Sequence, residues 1–275
     1  MSDTAFTIAF VGGGNMAAAL IAGLRRAGHS GDRIAVVEPV EARRDHLIAQ
    51  YGVRAQADAE GLQTDLIVLA VKPQQMQAAL TTLRPAPGTT VLSIAAGVPV
   101  AAMAAALPDC EVIRSMPNTP ALVGAGISAL YATPDTGAAA RTRAATVLAA
   151  AGTCVWVDDE TLLDAVTALS GSGPAYYFRM TEALADAGIA LGLPADTAHR
   201  LARQTLIGAA ALAAADDTPM AQLRAQVTSK GGTTEAALQS ADAQGLQALW
   251  STALTAARDR GAALGADIRQ SLGVA

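Results

Sequence analysis

The sequence is poor in cysteine and histidine, and this shortage argues against two kinds of site. Two of the 275 residues are cysteine, Cys110 and Cys154, and three are histidine. The cysteines form no CxxC pair and the histidines are scattered, so we expect neither a disulfide framework nor a metal site. This cysteine usage fits a reducing cytoplasm, where we expect the chain to reside.

Charged residues and long apolar runs are also scarce. The chain has 19 basic and 24 acidic side chains, a net charge of −5 and no basic stripe, so we expect no nucleic-acid partner. The longest apolar stretches, such as 207–215, fall well short of the ~20 residues that a membrane span needs. The first ten residues lack the basic region of a secretory signal, so we expect a soluble protein with no leader.

Small apolar residues are what the chain has in abundance. With 52% apolar residues, carried largely by alanine, and 3% aromatic residues, it can bury a core and is expected to be globular. A length of 275 residues favours two domains over one. Alanine-rich helices have smooth faces that pack closely, which favours pairing of helices between subunits.

Two patterns divide the sequence near residue 160. Before it, short runs rich in Val and Ile alternate with segments of helical period, which predicts βαβ units around a parallel sheet. The predicted strands are 7–12, 34–38, 66–71, 90–95, 111–116, 127–132 and 153–158. The predicted helices after it are 162–191, interrupted at 170–174, then 195–215, 219–227, 233–240 and 242–264. The sequence therefore predicts an α/β domain over 1–160 and an all-helical domain over 161–275.

The first predicted strand ends in a glycine-rich turn with GxGxxA spacing, Gly12-Gly13-Gly14-Asn15-Met16-Ala17. In such a turn Gly12 allows the tight bend and Gly14 allows the backbone to approach a pyrophosphate. Asn15 and Met16 open a helix whose N-terminus attracts anions. A strand-to-helix turn without a ligand is the alternative, but the position in the first βαβ unit favours dinucleotide binding.

The end of the second predicted strand bears on the choice of cofactor. Glu38 stands where NAD-binding proteins place the acid that accepts the adenosine ribose hydroxyls, which favours NADH. Arg43 and Arg44 follow closely and offer an alternative, a site for the 2′-phosphate of NADPH. Two arginines at the start of a helix are, however, more often a solvated surface.

Two further segments follow predicted strands at the edge of the sheet where ligands bind. They are Ala70-Val71-Lys72-Pro73 and Ala95-Ala96-Gly97-Val98-Pro99. Their small residues and proline would let main chain lie against a cofactor. Ordinary loops between strand and helix explain the same spacing, and Lys72 can equally cap a strand end.

Three blocks carry a resemblance to a known family: RSMPNTPA at 114–121, DAVTALSGSGPAY at 164–176 and VTSKGGTTEAAL at 227–238. In order and spacing they resemble pyrroline-5-carboxylate reductases. With the GGGNM, AVKP and AAGV segments the resemblance covers about residues 7 to 265, and TSKGGTT is its most specific marker.

The resemblance implies an oxidoreductase of proline biosynthesis. Its members deliver hydride from NADPH or NADH to the C=N bond of 1-pyrroline-5-carboxylate and release L-proline. They join an N-terminal Rossmann-type domain to a helical domain that binds substrate and interlocks with that of a partner, often within larger rings. Because members often prefer NADPH, Glu38 is a departure from the family expectation.

The resemblance also implies a substrate loop over 229–234. Thr234 is expected near the ring nitrogen, and the substrate carboxylate is expected to meet the Ser229 hydroxyl and the N–H groups of Gly232, Thr233 and Thr234. Those N–H groups suit a carboxylate if they head a helix, as the following EAALQS suggests. A plain turn between helices, capped by threonine, is the alternative.

Two breaks in the pattern call for a reason. The stretch 171–174 (GSGP) interrupts a helical run at a cost of roughly 1 kcal/mol per glycine and about 3 for an interior proline. A kink that brings backbone close to nicotinamide and substrate would explain it, and so would a helix start with Pro174 in the first turn.

Asn118 ends a strand where its amide can serve the cofactor or close a turn.

Two other functions fit parts of the pattern. The 3-hydroxyacid dehydrogenases share this architecture but use a lysine on the interdomain helix, and that helix has no lysine here. A dinucleotide-sensing protein without turnover is the second alternative, against which the TSKGGTT loop argues.

Overall fold

The computed structural model of the protein describes residues 6–271. The first five residues, part of the segment judged for a secretory signal, and the last four lie outside that range. By its internal contacts the chain forms two compact units, the first over Met1–Ser172 and Ala256–Ala275, the second over Gly173–Thr255.

The first unit is built on an eight-stranded sheet of order β3-β2-β1-β4-β5-β6-β7-β8. The strands are β1 (Ile8–Val11), β2 (Ile34–Val37), β3 (Arg54–Gln56), β4 (Leu66–Leu69), β5 (Thr90–Ser93), β6 (Glu111–Met116), β7 (Gly126–Ala132) and β8 (Gly152–Trp156). Neighbouring strands are parallel except for β6 and β7, which run antiparallel. The order 3-2-1-4-5-6 is that of the Rossmann fold.

Helices cover both faces of this sheet. They are α1 (Asn15–Arg26), α2 (Glu41–Tyr51), α3 (Met76–Thr82), α4 (Val100–Ala106), α5 (Ala138–Ala149) and α6 (Leu162–Val166). Successive strand residues point to opposite faces, so Phe10 packs with α1 and α5 in one core, while Ala9 packs with α3 and α4 in the other. Burial on both faces explains the continuous apolar strand runs.

The seven strands predicted from the sequence are confirmed, each to within one or two residues at its ends. The strand that sequence reasoning missed is β3, which has three residues, none of them fully buried. It pairs with β2 at the edge of the sheet. An edge strand this short needs no apolar run, so no pattern marked it.

The predicted interruption of the long helix is a π-helical turn. α6 continues into the π-turn Thr167–Gly171, in which the N–H of Ser172 donates to the Thr167 carbonyl at 2.9 Å. The next helix begins at Gly173 with Pro174 in its first turn, which agrees with the explanation of the interruption as a helix start. A Cβ on Gly171 would lie 2.6 Å from Cε of Met116, so the turn and the Met116 side chain are in close contact.

The second unit is helical, as predicted. It contains α7 (Gly173–Ala190), α8 (Ala195–Ala215), α9 (Met220–Gln226), α10 (Thr233–Ala243) and the first part of α11 (Leu246–Ser271). α7 and α8 pack closely through small residues, since a Cβ on Gly188 would touch Leu193 and Ala198. The rings of Tyr176 and Trp250 lie 5.6 Å apart.

The compact units divide at a different place from the predicted domains. α6 packs against β6 and β7, so residues 161–172 group with the sheet, and the chain from Ala256 onward returns to the first unit. A functional division at 160/161 stays a prediction. In residues 6–271 no helix is both long and apolar enough to cross a membrane.

Candidate functional site

The turn after β1 has the backbone shape that its glycines predict. Gly12 has a φ of +100°, and its N–H donates to the Val37 carbonyl at 2.8 Å. A Cβ there would lie 2.7 Å from the carbonyl oxygen of Ala70. Only glycine fits this position, so β1, β2 and β4 meet closely at their carboxyl ends.

The N-terminus of α1 has room for an anion. Gly14 is the N-cap residue, and no atom lies within 4 Å of the Cβ that it lacks. The N–H groups of the first turn, which includes Asn15 and Met16, have no partner within the helix, and the helix dipole favours negative charge there. This open turn fits a pyrophosphate.

Glu38 holds this turn through hydrogen bonds. The side chain is 6% exposed, and its two carboxylate oxygens accept from the N–H of Gly13 at 2.9 Å and of Val40 at 3.1 Å. A Cβ on Gly13 would lie 3.2 Å from Oε2 of Glu38 and 2.8 Å from Leu47. The carboxylate is therefore held between the glycine turn and the loop after β2.

The two arginines near this loop differ in their surroundings. Nη1 of Arg44 donates to the carbonyl oxygens of Glu38 and Pro39, both at 2.8 Å. Arg43 is exposed on the first turn of α2. Arg44 thus holds the main chain around Glu38.

The segments after β4 and β5 stand at the same edge of the sheet. The N–H of Ala70 donates to the Val11 carbonyl, Lys72 is exposed, and Pro73 opens a short 3-10 turn. Gly97 has a φ of +75°, and a Cβ there would lie 3.1 Å from Cα of Gly265 in α11. The end of α11 therefore packs directly on the loop after β5.

A cleft of about 400 Å³ opens within the first unit beside these loops. Its walls come from the segments after β4 and β5, from the π-turn and from the end of α11. The lining residues are Pro73, Gln74, Ala96, Gly97, Asp164, Thr167, Gly261, Leu264, Asp267 and Ile268.

Polar contacts hold the carboxyl ends of β5 and β6. The Ser115 hydroxyl donates to the Ser93 carbonyl at 2.9 Å, two residues before Ala95. Asn118 is buried; its Nδ2 donates to the Ser170 carbonyl at 3.1 Å, and its Oδ1 accepts from the N–H of Ile127 at 3.0 Å. Both polar groups of the Asn118 amide are thus engaged within the chain.

Sequence reasoning missed one ion pair behind this edge. Buried Arg114 contacts Glu160 at 3.0 Å, and the same carboxylate oxygen accepts from the N–H of Val100 at 2.9 Å, at the start of α4. An arginine inside the apolar run of β6 was the available signal. The pair ties β6, α4 and the segment before α6 together.

The loop over 229–234 heads a helix, as predicted. α10 begins at Thr233 with Gly232 as its N-cap residue and no side-chain cap, so the threonine-capping alternative is not seen. The N–H of Gly232 donates to the Ser229 carbonyl at 3.0 Å, and that of Gly231, whose φ is +72°, donates to Oε2 of Glu235 at 2.7 Å. Ser229 is exposed, and Thr234 is partly exposed.

The predicted cofactor residues thus gather in the first unit, after β1, β2, β4, β5 and β6. The predicted substrate residues Ser229, Gly232, Thr233 and Thr234 gather in the second. Within residues 6–271 no three His, Cys, Asp or Glu side chains group as a metal site would. Cys110 and Cys154 are free thiols whose pKa values are raised by burial.

Comparison with family models gives two matches. Residues 160–264 match a model of pyrroline-5-carboxylate reductase dimerisation. Residues 7–97 match a model of NADP oxidoreductase, coenzyme F420-dependent.

Single relatives and solved structures extend the likeness over nearly the whole chain. Pyrroline-5-carboxylate reductase of Pseudomonas aeruginosa is 45% identical over 268 residues, covering 96% of this chain and 98% of that protein. The Haemophilus influenzae enzyme is 40% identical over 243 residues, covering 86% and 89%. The structure of the Coxiella burnetii enzyme is 37% identical with a TM-score of 0.87, covering 93% and 97%. That of Plasmodium falciparum, solved with NADP bound, is 26% identical with a TM-score of 0.78, covering 95% and 98%. The chain therefore belongs to the pyrroline-5-carboxylate reductase family.

Proposed function

We propose that this protein reduces 1-pyrroline-5-carboxylate to L-proline, with NADH or NADPH as the electron donor, in the last step of proline biosynthesis. The observation that carries the proposal is that this member of the family has two helix N-termini suited to two different ligands. An open glycine turn heads α1 in the Rossmann unit, and the 229–234 loop heads α10 in the helical unit. The first suits a dinucleotide, and the second suits a small carboxylate.

The chain's own residues provide the cofactor site. Gly12, Gly14 and the N–H groups of Asn15 and Met16 receive the pyrophosphate, and Glu38 faces the adenosine ribose. The proposed main-chain contacts along the sheet edge are Ala70, Val71, Lys72, Pro73, Ala95, Ala96 and Gly97, with Asn118 beyond them. When bound, the reduced nicotinamide supplies a hydride.

The substrate site uses the start of α10. The Ser229 hydroxyl and the N–H groups of Thr233 and Thr234 hold the substrate carboxylate, and the Thr234 hydroxyl hydrogen-bonds the ring nitrogen. The Gly232 N–H is shared between the carboxylate and the Ser229 carbonyl, to which it donates at 3.0 Å. Hydride adds to the carbon of the C=N bond, and the nitrogen keeps the proton that made the imine electrophilic, which yields the amine. Holding the reacting atoms in line supplies much of the acceleration.

Assembly through the second unit belongs to the same proposal. Large apolar side chains such as Tyr177, Leu184, Leu201 and Met220 are exposed around a groove of about 830 Å³ between α7 and α8. Exposed apolar surface of this extent marks an interface. We propose a homo-oligomer built from dimers that cover it. The cytoplasmic location and the absence of nucleic-acid partners stay predictions.

A coupled assay tests the proposed reaction. The purified protein is mixed with 1-pyrroline-5-carboxylate and NADH or NADPH, absorbance at 340 nm is followed, and L-proline is quantified by chromatography. One L-proline is expected for each reduced cofactor oxidised. A protein that binds the dinucleotide but oxidises none with the imine present would be a sensor instead of a reductase.

A further inference from the structure

Asn118 joins three segments of the first unit that are distant in sequence. It follows β6; its Oδ1 accepts from Ile127 in β7, and its Nδ2 donates to Ser170 in the π-turn. Asn118 is buried, and both hydrogen bonds are partly buried. Breaking either would leave a buried polar group unpaired.

The segment that Asn118 holds is an unusual one. π-helical turns are rare, and within α-helices they occur often at functional sites. Here the turn is packed on Met116 through Gly171, where a Cβ would come within 2.6 Å of Cε. The π-turn is thus held by a hydrogen bond from Asn118 and by packing against Met116.

The π-turn lies at the edge of the sheet where the nicotinamide half of a dinucleotide is expected. In Rossmann sheets the ligand lies outside the carboxyl ends of the strands. Thr167 of the turn lines the same cleft as Ala96 and Gly97, which follow β5. A turn in this place forms one wall of the space beyond the strand ends.

We infer that Asn118 is a positioning residue for hydride transfer: its amide fixes the π-turn, and the π-turn sets the place of the nicotinamide. Only the expected change in the rate of hydride transfer rests on the proposed function. Its consequence for cofactor binding holds whether or not the imine is the substrate. The carbonyl of Ser170 stays occupied by Nδ2, so Asn118 acts through the turn.

The substitution Asn118→Asp separates the two bonds of the amide. An aspartate keeps an oxygen that accepts from the N–H of Ile127, but it places a second oxygen against the Ser170 carbonyl instead of a donor. The bond to β7 is retained while the bond to the π-turn becomes a repulsion. Thr119→Ala is the matched control, because it shortens the exposed side chain next to Asn118 and leaves both hydrogen bonds of the Asn118 amide in place.

The first readout needs no turnover. Affinities for NADH and for ADP-ribose, which lacks the nicotinamide, are measured by calorimetry on the full-length protein. In Asn118→Asp we expect NADH to bind about tenfold more weakly, or 1.4 kcal/mol, with ADP-ribose affinity unchanged. Equal losses for both ligands, or no loss for either, would overturn the inference.

The second readout is the hydride step. With the imine as substrate, Asn118→Asp should lower kcat by about 10- to 100-fold with little change in the KM of the imine, as for a misplaced reactant. The kinetic isotope effect with NADH deuterated at the transferred position should rise above that of the natural protein and of Thr119→Ala. A lower melting temperature with an unchanged isotope effect would make Asn118 a purely structural residue. If the natural protein reduces no imine, the proposed reaction fails and the affinity comparison decides this inference.

A second variant covers poor folding of the first. Asn118→Ala removes the donor to the Ser170 carbonyl without adding a charge, so the π-turn loses this bond and no buried carboxylate is introduced. The same selective loss of NADH affinity is expected. Unchanged NADH affinity in this variant would show that the bond to the turn does not matter, which contradicts the inference.

Discussion

The backbone N–H of Gly13 donates to Oε2 of Glu38 at 2.9 Å, so the carboxylate that follows β2 is bonded directly to the glycine turn that follows β1. The anion therefore stands beside the site proposed for the pyrophosphate, and Arg44 is bonded to main-chain carbonyls. A 2′-phosphate on the adenosine ribose would meet this buried negative charge.

Cofactor preference follows from that contact. NADH should support turnover at least comparably to NADPH, and Glu38→Gln should raise the ratio of kcat/KM for NADPH over NADH by about tenfold, or 1.4 kcal/mol. Glu41→Gln is the control, since Glu41 is an exposed acid in the first turn of α2. A natural protein that prefers NADPH by more than ~100-fold, about 2.7 kcal/mol, would show that another group outweighs the carboxylate.

The start of α10 gives a second prediction. Thr234→Ala should lower kcat/KM for the imine by roughly 10- to 1000-fold, about 1.4–4 kcal/mol, because a positioned polar contact is lost. Cofactor affinity and melting temperature should barely change, since the N-cap of α10 is Gly232 and no side chain caps it. Thr255→Ala, which changes an exposed residue of α11, is the control. Normal imine kinetics in Thr234→Ala would remove this residue from the site.

The end of α11 packs on the loop after β5, which gives a third prediction. A Cβ on Gly265 would lie 3.4 Å from the Gly97 carbonyl, whereas Ala262 of the same helix is exposed. Gly265→Val should therefore displace the loop at 95–97 and weaken NADH binding measured by fluorescence titration. Ala262→Val, which also places a valine in α11, should bind NADH normally. Equal affinities in the two variants would separate α11 from the cofactor loop.

Assembly can be tested by placing charge in the groove of the second unit. Leu201→Asp buries a carboxylate wherever that groove is covered, so it should shift sedimentation toward the monomer. Val123→Asp changes a side chain that is 81% exposed in the first unit and should leave the oligomer intact. An unchanged oligomer in Leu201→Asp would place the interface elsewhere.

His29 makes stability depend on pH. Burial, with the positive charges of Arg33 and Arg25 nearby, lowers its pKa in the folded protein. Below about pH 6.5 the unfolded chain takes up a proton that the folded protein resists, so stability falls as the pH drops through that range. Urea unfolding at pH 7.5 and 5.5 should show a smaller loss for His29→Gln than for the natural protein. His199→Gln changes an exposed histidine, and its free energy of unfolding should fall as much as that of the natural protein between the two pH values. Equal losses of stability in all three proteins would contradict the role of His29.

Sequence patterns predicted the elements in which apolar residues recur regularly along the chain. β1 and β4 are apolar throughout because helices cover both faces, and α8 was predicted at 195–215, where it is found. The edge strand β3 carried no such pattern. The π-turn was visible only as an interruption, because the side chains that contact it, Asn118 and Met116, are more than fifty residues away in sequence.

The site was predicted in part for a similar reason. Glycine spacing marked the turn at Gly12 and Gly14, since glycines at this spacing after a strand are visible in the sequence itself. The roles of Glu38 as a brace for Gly13, and of Glu160 as partner of Arg114, arise from contacts across the sheet. Such pairings have no fixed spacing along the chain.

The most direct test of the proposed reaction follows the hydride itself. The protein is incubated with 1-pyrroline-5-carboxylate and NADH that carries deuterium at the transferred position, and the L-proline formed is analysed by mass spectrometry. We expect L-proline with one deuterium, located at the ring carbon that was double-bonded to nitrogen. Unlabelled L-proline, or oxidation of NADH with no L-proline formed, would contradict direct hydride transfer to this imine.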